Sequence, residues 1–439
     1  MKSYKNISPI DPDGNPMIFL KNGTYIDWQT LEFRNTDILV EAGPDGKILY
    51  PEDSGSGFLA NPNIAVVDCS GKYIIKSFAN GHHHVYSALS RGMPPPKKNP
   101  ANFQEILHSI WWALDKALDL EAIRLSALVT AIACAKNGVT FVIDHHASPF
   151  AVDGSLEIIA RAFDEVGINH LLCYEISDRD GEEIARKGLD ETAGYLSQWQ
   201  GLVGLHASFT ISDATLKRSV ELASGSGSGI HIHVAEDLSD QEHCLSHYKM
   251  RIIERLTYAG ALVPKTILAH CLHLNEQERK IVSGAPSWVV ENMESNLNNA
   301  VGFFNSEGLG PNIMLGTDGM HSDMIQSAKS AFFAGHNFDR IDYPETYRRF
   351  RNVHNYLNSN GFKGDGENNL VILDYPSPTP FNQSNFLGHF LFGIESKQVT
   401  HVISNGSLIV KDKEVVTVDE TDILGEARIQ AKRLWNRMK

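Results

Sequence analysis

Eight short β-rich runs alternating with helical stretches across residues 76–365 predict an α/β protein built on a (β/α)8 barrel, with a small β-sandwich domain assembled from both chain ends. Three observations carry this expectation. The alternation fills the middle of the chain. Hairpin-like runs bounded by Asn-Gly or Asp-Gly collect before and after it. Side chains able to hold metal or move protons recur where the central runs end.

The N-terminal runs are 17–20, followed by Asn22-Gly23, then 38–41, Asp45-Gly46 and 47–50. Residues 51–63 (PEDSGSGFLANPN) read as a polar loop with little to pack. The β pattern returns at 370–374, 399–404 and 407–411, around Asn405-Gly406. Residues 1–75 and 366–420 are therefore expected to form one small β domain interrupted by the barrel. In 421–439, Ile423, Leu424, Ala427, Ala431, Leu434 and Trp435 fall at helical spacing, which predicts an amphipathic helix docked on the body.

The first central run ends at His82. A proline-rich loop (91–100) follows, then a helix carrying Trp111 and Trp112, then a helix over 121–137 stopped by Gly138. The remaining seven runs are 140–144, 169–176, 202–206, 230–234, 266–270, 288–291 and 313–315, with helical patterns such as 155–166, 214–223 and 249–259 between them. The SGSGSG stretch at 224–229 precedes a strand instead of opening a helix, so it is a connection and not a phosphate loop.

A length of 439 residues suits one barrel-sized domain with a smaller companion. The net charge of −14, without any Lys/Arg cluster, argues against nucleic acid as a partner. Lys2 and Lys5 are followed by no apolar signal region, and no apolar run is long enough for a bilayer, so no membrane role is expected. Five scattered cysteines suit a reducing compartment, and the expected location is the cytoplasm.

The chain is organised around Gly81-His82-His83-His84. On a strand, His82 and His84 share a face while His83 points away. Two imidazoles on one face can bind a metal; taken alone, the triplet reads equally as an exposed polar turn. The strand ends that follow carry His145 and His146, Glu175, His206, His233 with Glu236, His270, Glu291 and Asp318. In a barrel those ends form one mouth, so residues spread from 82 to 318 converge. In the run 230–236 (IHIHVAE), His233 ends a strand and Glu236 follows where it can reach a metal-bound water. His231, deeper on the same face, reads as a buried, hydrogen-bonded histidine. His82, His84, His233 and Asp318 make a three-histidine, one-carboxylate set typical of zinc or iron, with a position left for water.

The HxH, HVAE, LAHC and GTDG motifs, in that order, resemble the metal-dependent amidohydrolase superfamily, in its branch of triazine hydrolases, guanine deaminase and methylthioadenosine/adenosylhomocysteine deaminases. More narrowly, HxHxYSxLSRG (82–92), Trp111-Trp112, VIDHHASP (142–149), SNLNNAVG (295–302), GTDGxxSDM (316–324) and DYPSPTP (374–380) resemble the SsnA-type aminohydrolases, a group associated with purine catabolism. The resemblance implies a TIM-type barrel and one divalent metal per chain, zinc first with iron or manganese as alternatives, held by His82, His84, His233 and Asp318. It implies Glu236 as general acid/base, His270 as the residue orienting the attacking hydroxide, and His206 in contact with the substrate. A homo-oligomer, a dimer, is also implied. Arg91 and Glu291 are candidate substrate contacts, a surface ion pair and a hydrogen bond within the barrel being their respective alternatives, and Asp144, His145 and His146 are candidate supports behind the ligands. Glu175 reads as a buried hydrogen-bonded group at the mouth without a role of its own, and Trp111 and Trp112 as one packed and one exposed ring, or, carried by the proline-rich loop, as a lid over the site.

The sequence departs from the family pattern at three places. Lys76-Ser77 stands where Pro-Gly is usual, Glu291-Asn292-Met293 where His-Asn-Pro is usual, and Asn368-Asn369 where Ala-Asp is usual. The expected activity is hydrolysis of a C–N bond, most simply deamination of a purine-like nitrogen heterocycle by metal-bound hydroxide. The alternatives are ring opening by a cyclic amidohydrolase, dechlorination, or a catalytically silent metal- or heterocycle-binding protein.

Overall fold

The structure, a computed structural model, describes residues 17–50 and 64–438. The N-terminal lysines and the loop expected at 51–63 lie outside the described residues.

Both ends of the chain share one nine-stranded sheet. At its centre Tyr73–Lys76 pairs antiparallel with Leu370–Leu373, Lys76 opposite Leu370, so the chain leaves and re-enters this sheet on adjacent strands. Ile18–Ile26, Phe33–Val40 and Ile48–Leu49 continue it on one side, with Ala65–Asp68 also pairing with Ile18–Ile26. Val399–Ser404, Ser407–Lys411 and Glu414–Val415 continue it on the other. Asn405 and Gly406, at φ +48° and +73°, make the tight turn that their sequence predicts.

Asn22-Gly23 behaves differently from its pattern. Ile18–Ile26 runs through it as one strand, with Asn22 at φ +60° and the pairing shifted between Leu20 and Gly23. This is a bulge, not a hairpin turn. Contact from another strand decides it: a Cβ on Gly23 would lie 2.5 Å from Ile74 Cδ1.

The central region forms parallel strands in two sheets. Phe78–His83, Val139–His146 and Asn169–Tyr174 make the first; Val203–Ala207, Ile230–Val234, Ile267–His270, Trp288–Glu291 and Ile313–Leu315 make the second. Isolated parallel bridges join the third strand of this series to the fourth (Leu172 with Gly201, Ile176 with Leu205) and the first to the eighth (His83 with Asp318). Each of the eight strands thus has a neighbour on both sides. The approach at the first-to-eighth seam requires Gly81, where a Cβ would sit 2.8 Å from the Leu315 carbonyl oxygen. Ala79, Phe141, Ile143, Leu171, Ile267, Val290 and Met314 from these strands share an apolar cluster with Tyr356 and Leu357 of the helix Tyr343–Ser359.

Helices follow the strands, and the amphipathic ones bury an apolar stripe. In Ser155–Val166 the buried set includes Leu156, Ile159, Ala160, Phe163 and Val166, at helical spacing. The terminal helix Glu420–Arg437 lies against Leu120–Lys136, tied by Lys136 to Glu420 at 2.8 Å. The stretch carrying the two tryptophans is not a regular helix. Phe103–Ile106 and Trp112–Lys116 flank a π turn at Leu107–Trp111, a form that often marks functional sites. No helix among the described residues is long and apolar enough to cross a membrane.

Candidate active site

The three successive histidines separate as the strand period requires. His82 and His84 turn to one side, ring centroids 4.8 Å apart, while His83 Nε2 meets Ser322 Oγ at 3.1 Å. His233, near the end of the fifth strand, lies against both, at 5.1 and 5.2 Å between centroids. Asp318, just past the eighth strand, brings Oδ1 to 3.2 Å from His84 Nε2 and 3.8 Å from His82 Nε2. Its φ of +54° is strained for a side-chain-bearing residue. The N–H groups of Thr317 and Asp318 hold it there, both donating to the His82 carbonyl at 3.0 Å.

Bonds on the outer side of the rings determine which nitrogen faces inward. His84 Nδ1 donates to the His145 carbonyl at 2.6 Å, and His233 Nδ1 donates to the His206 carbonyl at 2.8 Å. A carbonyl only accepts, so in the neutral rings each Nε2 presents a lone pair. These two Nε2 atoms stand 3.1 Å apart, and His82 Nε2 nearby is buried without a hydrogen-bond partner. Converging lone pairs beside a carboxylate in a dry site repel unless positive charge lies among them. The donor set therefore fits a divalent cation. The same demand shows in proton affinity. Burial lowers that of His84, but the hydrogen bond and charge of Asp318 outweigh it and bring His84 to about 9. Burial drives His82 and His233 well below the usual histidine range.

Glu236 follows the fifth strand after a turn through Ala235 at φ +46°. Its Oε2 lies 3.5 Å from His270 Nε2, and its Oε1 accepts from Asn299 Nδ2 at 3.3 Å. Burial raises the carboxyl above the ordinary range, the direction that suits a group taking and returning a proton. His270 ends the sixth strand at φ +73°; its Nδ1 meets Asn296 Oδ1 at 2.8 Å, and its Nε2, 3.7 Å from Asp318 Oδ2, has no hydrogen-bond partner.

Behind these groups, Asp144 Oδ1 accepts from the Val85 N–H at 2.7 Å and pins the turn just past His84. His145 Nε2 donates to the carbonyls of His231 and Leu205 at 3.1 and 3.2 Å, and His82 Nδ1 meets His231 Nε2 at 2.9 Å. His146 Nε2 meets Ser148 Oγ at 2.9 Å.

A concavity of about 490 Å³, open mouth included, brings His84, His233, Glu236 and Asp318 together with His206 and Glu175. Tyr86, Phe103, Leu107, Trp111 and Trp112 supply an apolar wall, so both tryptophans, and not one, reach the site. Ser295, Asn299 and Gly319 complete the lining; neither Ser295 nor Asn299 stands out in the sequence beyond its place in the SNLNNAVG stretch. Two expected substrate contacts stand elsewhere. Arg91 is exposed beyond the turn Val85–Ser90, outside the lining. Glu291 is buried away from the concavity, with Oε2 held by Arg349 at 2.8 Å.

Residues 73–375 match the family model described as the amidohydrolase family. This chain belongs to the amidohydrolase family. Among similar curated proteins, the 5-methylthioadenosine/S-adenosylhomocysteine deaminase of Pelotomaculum thermopropionicum is 27% identical over 445 residues, covering 95% of this amidohydrolase and 96% of the relative. The 5'-deoxyadenosine deaminase of Methanopyrus kandleri is 28% identical over 384 residues, covering 82% and 86%. Among solved structures, an adenosine deaminase from Xanthomonas campestris with bound zinc superposes with a TM-score of 0.80 at 19% identity, covering 95% of this chain and 98% of the other. E. coli guanine deaminase gives a TM-score of 0.75 at 16% identity, covering 90% and 100%. At these identities the solved structures share the TIM-barrel-type fold with this amidohydrolase.

Proposed function

We propose that this amidohydrolase is a hydrolytic deaminase of a purine-like nitrogen heterocycle. The observation that carries the reading is the clustering of the His82, His84 and His233 imidazoles and Asp318 with Glu236 and His270, of which His84, His233, Glu236 and Asp318 line one concavity. The deaminase names of the relatives support the reaction class. His82, His84, His233 and Asp318 hold one divalent ion, with zinc the first choice and iron or manganese next. When bound, that ion supplies Lewis-acid activation of water. Glu236 takes the proton released from the water and delivers it at Oε2 toward the ring nitrogen or the departing amine, its Oε1 being held by Asn299. His270 Nε2 orients the attacking oxygen. His206 contacts the ring, and Asp144 and His145 hold the ligands in place, through the Val85 N–H and the His84 ring, whereas the His146 ring turns to Ser148. Arg91 and Glu291 stay outside the substrate contacts because of their placement.

In the same reading, residues 76–365 are one closed (β/α)8 barrel, supported by the bridges at both seams. The described parts of 1–75 and 366–420 are a small β domain beside that barrel, and 421–438 is a helix docked on the body. Five free, buried cysteines suit the cytoplasm, and the exposed aromatic rings of Phe333, Tyr343 and Phe392 suit a homodimer contact.

The test is a mass-spectrometric screen of the zinc- and iron-loaded protein against aminopurines, pterins and triazines. The expected product carries oxygen in place of an amino group, with ammonia released. A product that has gained a whole water marks ring opening and overturns the deaminase assignment.

A further inference from the structure

Glu175 directly follows the third parallel strand, and its side chain is 3% exposed. Its Oε2 lies 3.2 Å from His145 Nδ1, and its Oε1 lies 4.0 Å from His206 Nε2. Burial opposes ionisation, but His206, His145 and the Arg179 guanidinium outweigh it and hold the carboxyl well below the ordinary range. His145 is fixed from behind by its bonds to two carbonyls. The carboxylate is thus buried, held in place and in contact with the concavity.

Three carboxylates line that concavity, Glu175, Glu236 and Asp318, and no lysine or arginine is among the described lining residues. Asp318 belongs to the cation set and Glu236 carries the proton. Glu175 is the carboxylate that the chemistry leaves over. A carboxylate can accept about four hydrogen bonds, and the one close contact to His145 with His206 at 4.0 Å leaves Glu175 capacity on the concavity side that ligand N–H groups can fill. The aromatic wall that includes Tyr86, Trp111 and Trp112 suits a flat ring.

We infer that Glu175 is the specificity-determining residue of the site: it accepts N–H hydrogen bonds from a heterocycle whose bound edge is rich in donors, an amino-substituted amidine edge. By the same charge it disfavours rings that present only acceptors and rings that are anionic. This rests on the heterocycle-deaminase reading and names the substrate class within it.

Binding is measured by tryptophan fluorescence quenching of the zinc-loaded full-length protein, with metal content determined on every sample. The probes are 2,6-diaminopurine, which offers donors, 2,6-dimethoxypurine, which offers acceptors on a similar frame, and urate, which is anionic. The wild type is expected to bind the diamino ring at least about tenfold more tightly than either competitor. Glu175→Gln is expected to shrink that preference to less than about threefold with metal content unchanged. Equal affinities in the wild type, or a preference that survives in Glu175→Gln, overturn the inference. Loss of metal from Glu175→Gln also overturns it, by making the residue a metal ligand. Should that variant fail to fold, the wild-type comparison decides alone. Selective binding of the diamino ring without ammonia release from any amino ring would refute the deaminase reading and leave recognition by Glu175 standing.

Discussion

The Arg349 guanidinium, 1% exposed, bonds Glu291 Oε2 at 2.8 Å, Asp339 Oδ2 at 2.6 Å and Glu345 Oε1 at 2.8 Å. Removing the cation strands carboxylates in a place without water. Arg349→Met is therefore expected to destabilise the protein by about 3–5 kcal/mol in chemical denaturation. Glu291→Gln leaves Arg349 two charged partners and is expected to keep KM within about twofold of wild type. A large rise in KM at preserved stability would return Glu291 to the substrate. The contrast explains what was legible at this scale. Metal binding and proton transfer accept few residue types, so histidines and acids at strand ends stand out in a sequence. Glu291 is of the same type, but its partner sits on a distant helix, which no spacing reveals. Asn299 was hidden for a related reason, since contact with a concavity is a property of the assembled fold; Glu175 was placed at the mouth by its strand end, without a role.

At the scale of elements, the unusual Lys76-Ser77 is a fastening at the end of the central strand pair of the nine-stranded sheet. Lys76 Nζ donates to the carbonyls of Gly366 at 2.6 Å and Asp365 at 3.0 Å and lies 2.9 Å from Asp365 Oδ1, while His354 Nδ1 meets Asp365 Oδ2 at 2.8 Å. The place where the chain leaves the small sheet is thus tied to the place where it returns. Burial raises the Asp365 carboxyl, but His354 and Lys76 outweigh it and hold the value at about 2. The folded value lies below the unfolded one, so the stabilisation is present above about pH 4 and is lost as the pH falls toward 2. It amounts to about 2 kcal/mol. Denaturation curves taken across that window should show this loss in the wild type and a smaller one in Lys76→Met; an equal slope in both would contradict the pairing. The strands and most helices were legible because alternation and helical spacing are local. The bulge at Asn22-Gly23 and the π turn before Trp112 were not, because neighbouring chain imposes the one and nothing in residue type announces the other.

For the whole molecule, the donors come from the first strand and the residue after it (His82, His84), the fifth strand (His233) and the loop after the eighth (Asp318), and the groups beside them from the turn after the fifth (Glu236) and the end of the sixth (His270). No local segment holds the site; it exists only when the parallel strands meet around it. The eightfold alternation made that convergence readable, while the seams rest on bridges of one or two residue pairs that no pattern announces. The most direct test measures ammonia release and metal stoichiometry on the same samples of wild type and Glu236→Gln, using an aminopurine that the wild type converts. Glu236→Gln should retain one ion per chain and lose roughly two to four orders of magnitude in turnover. A variant that keeps both its metal and wild-type turnover would contradict the account.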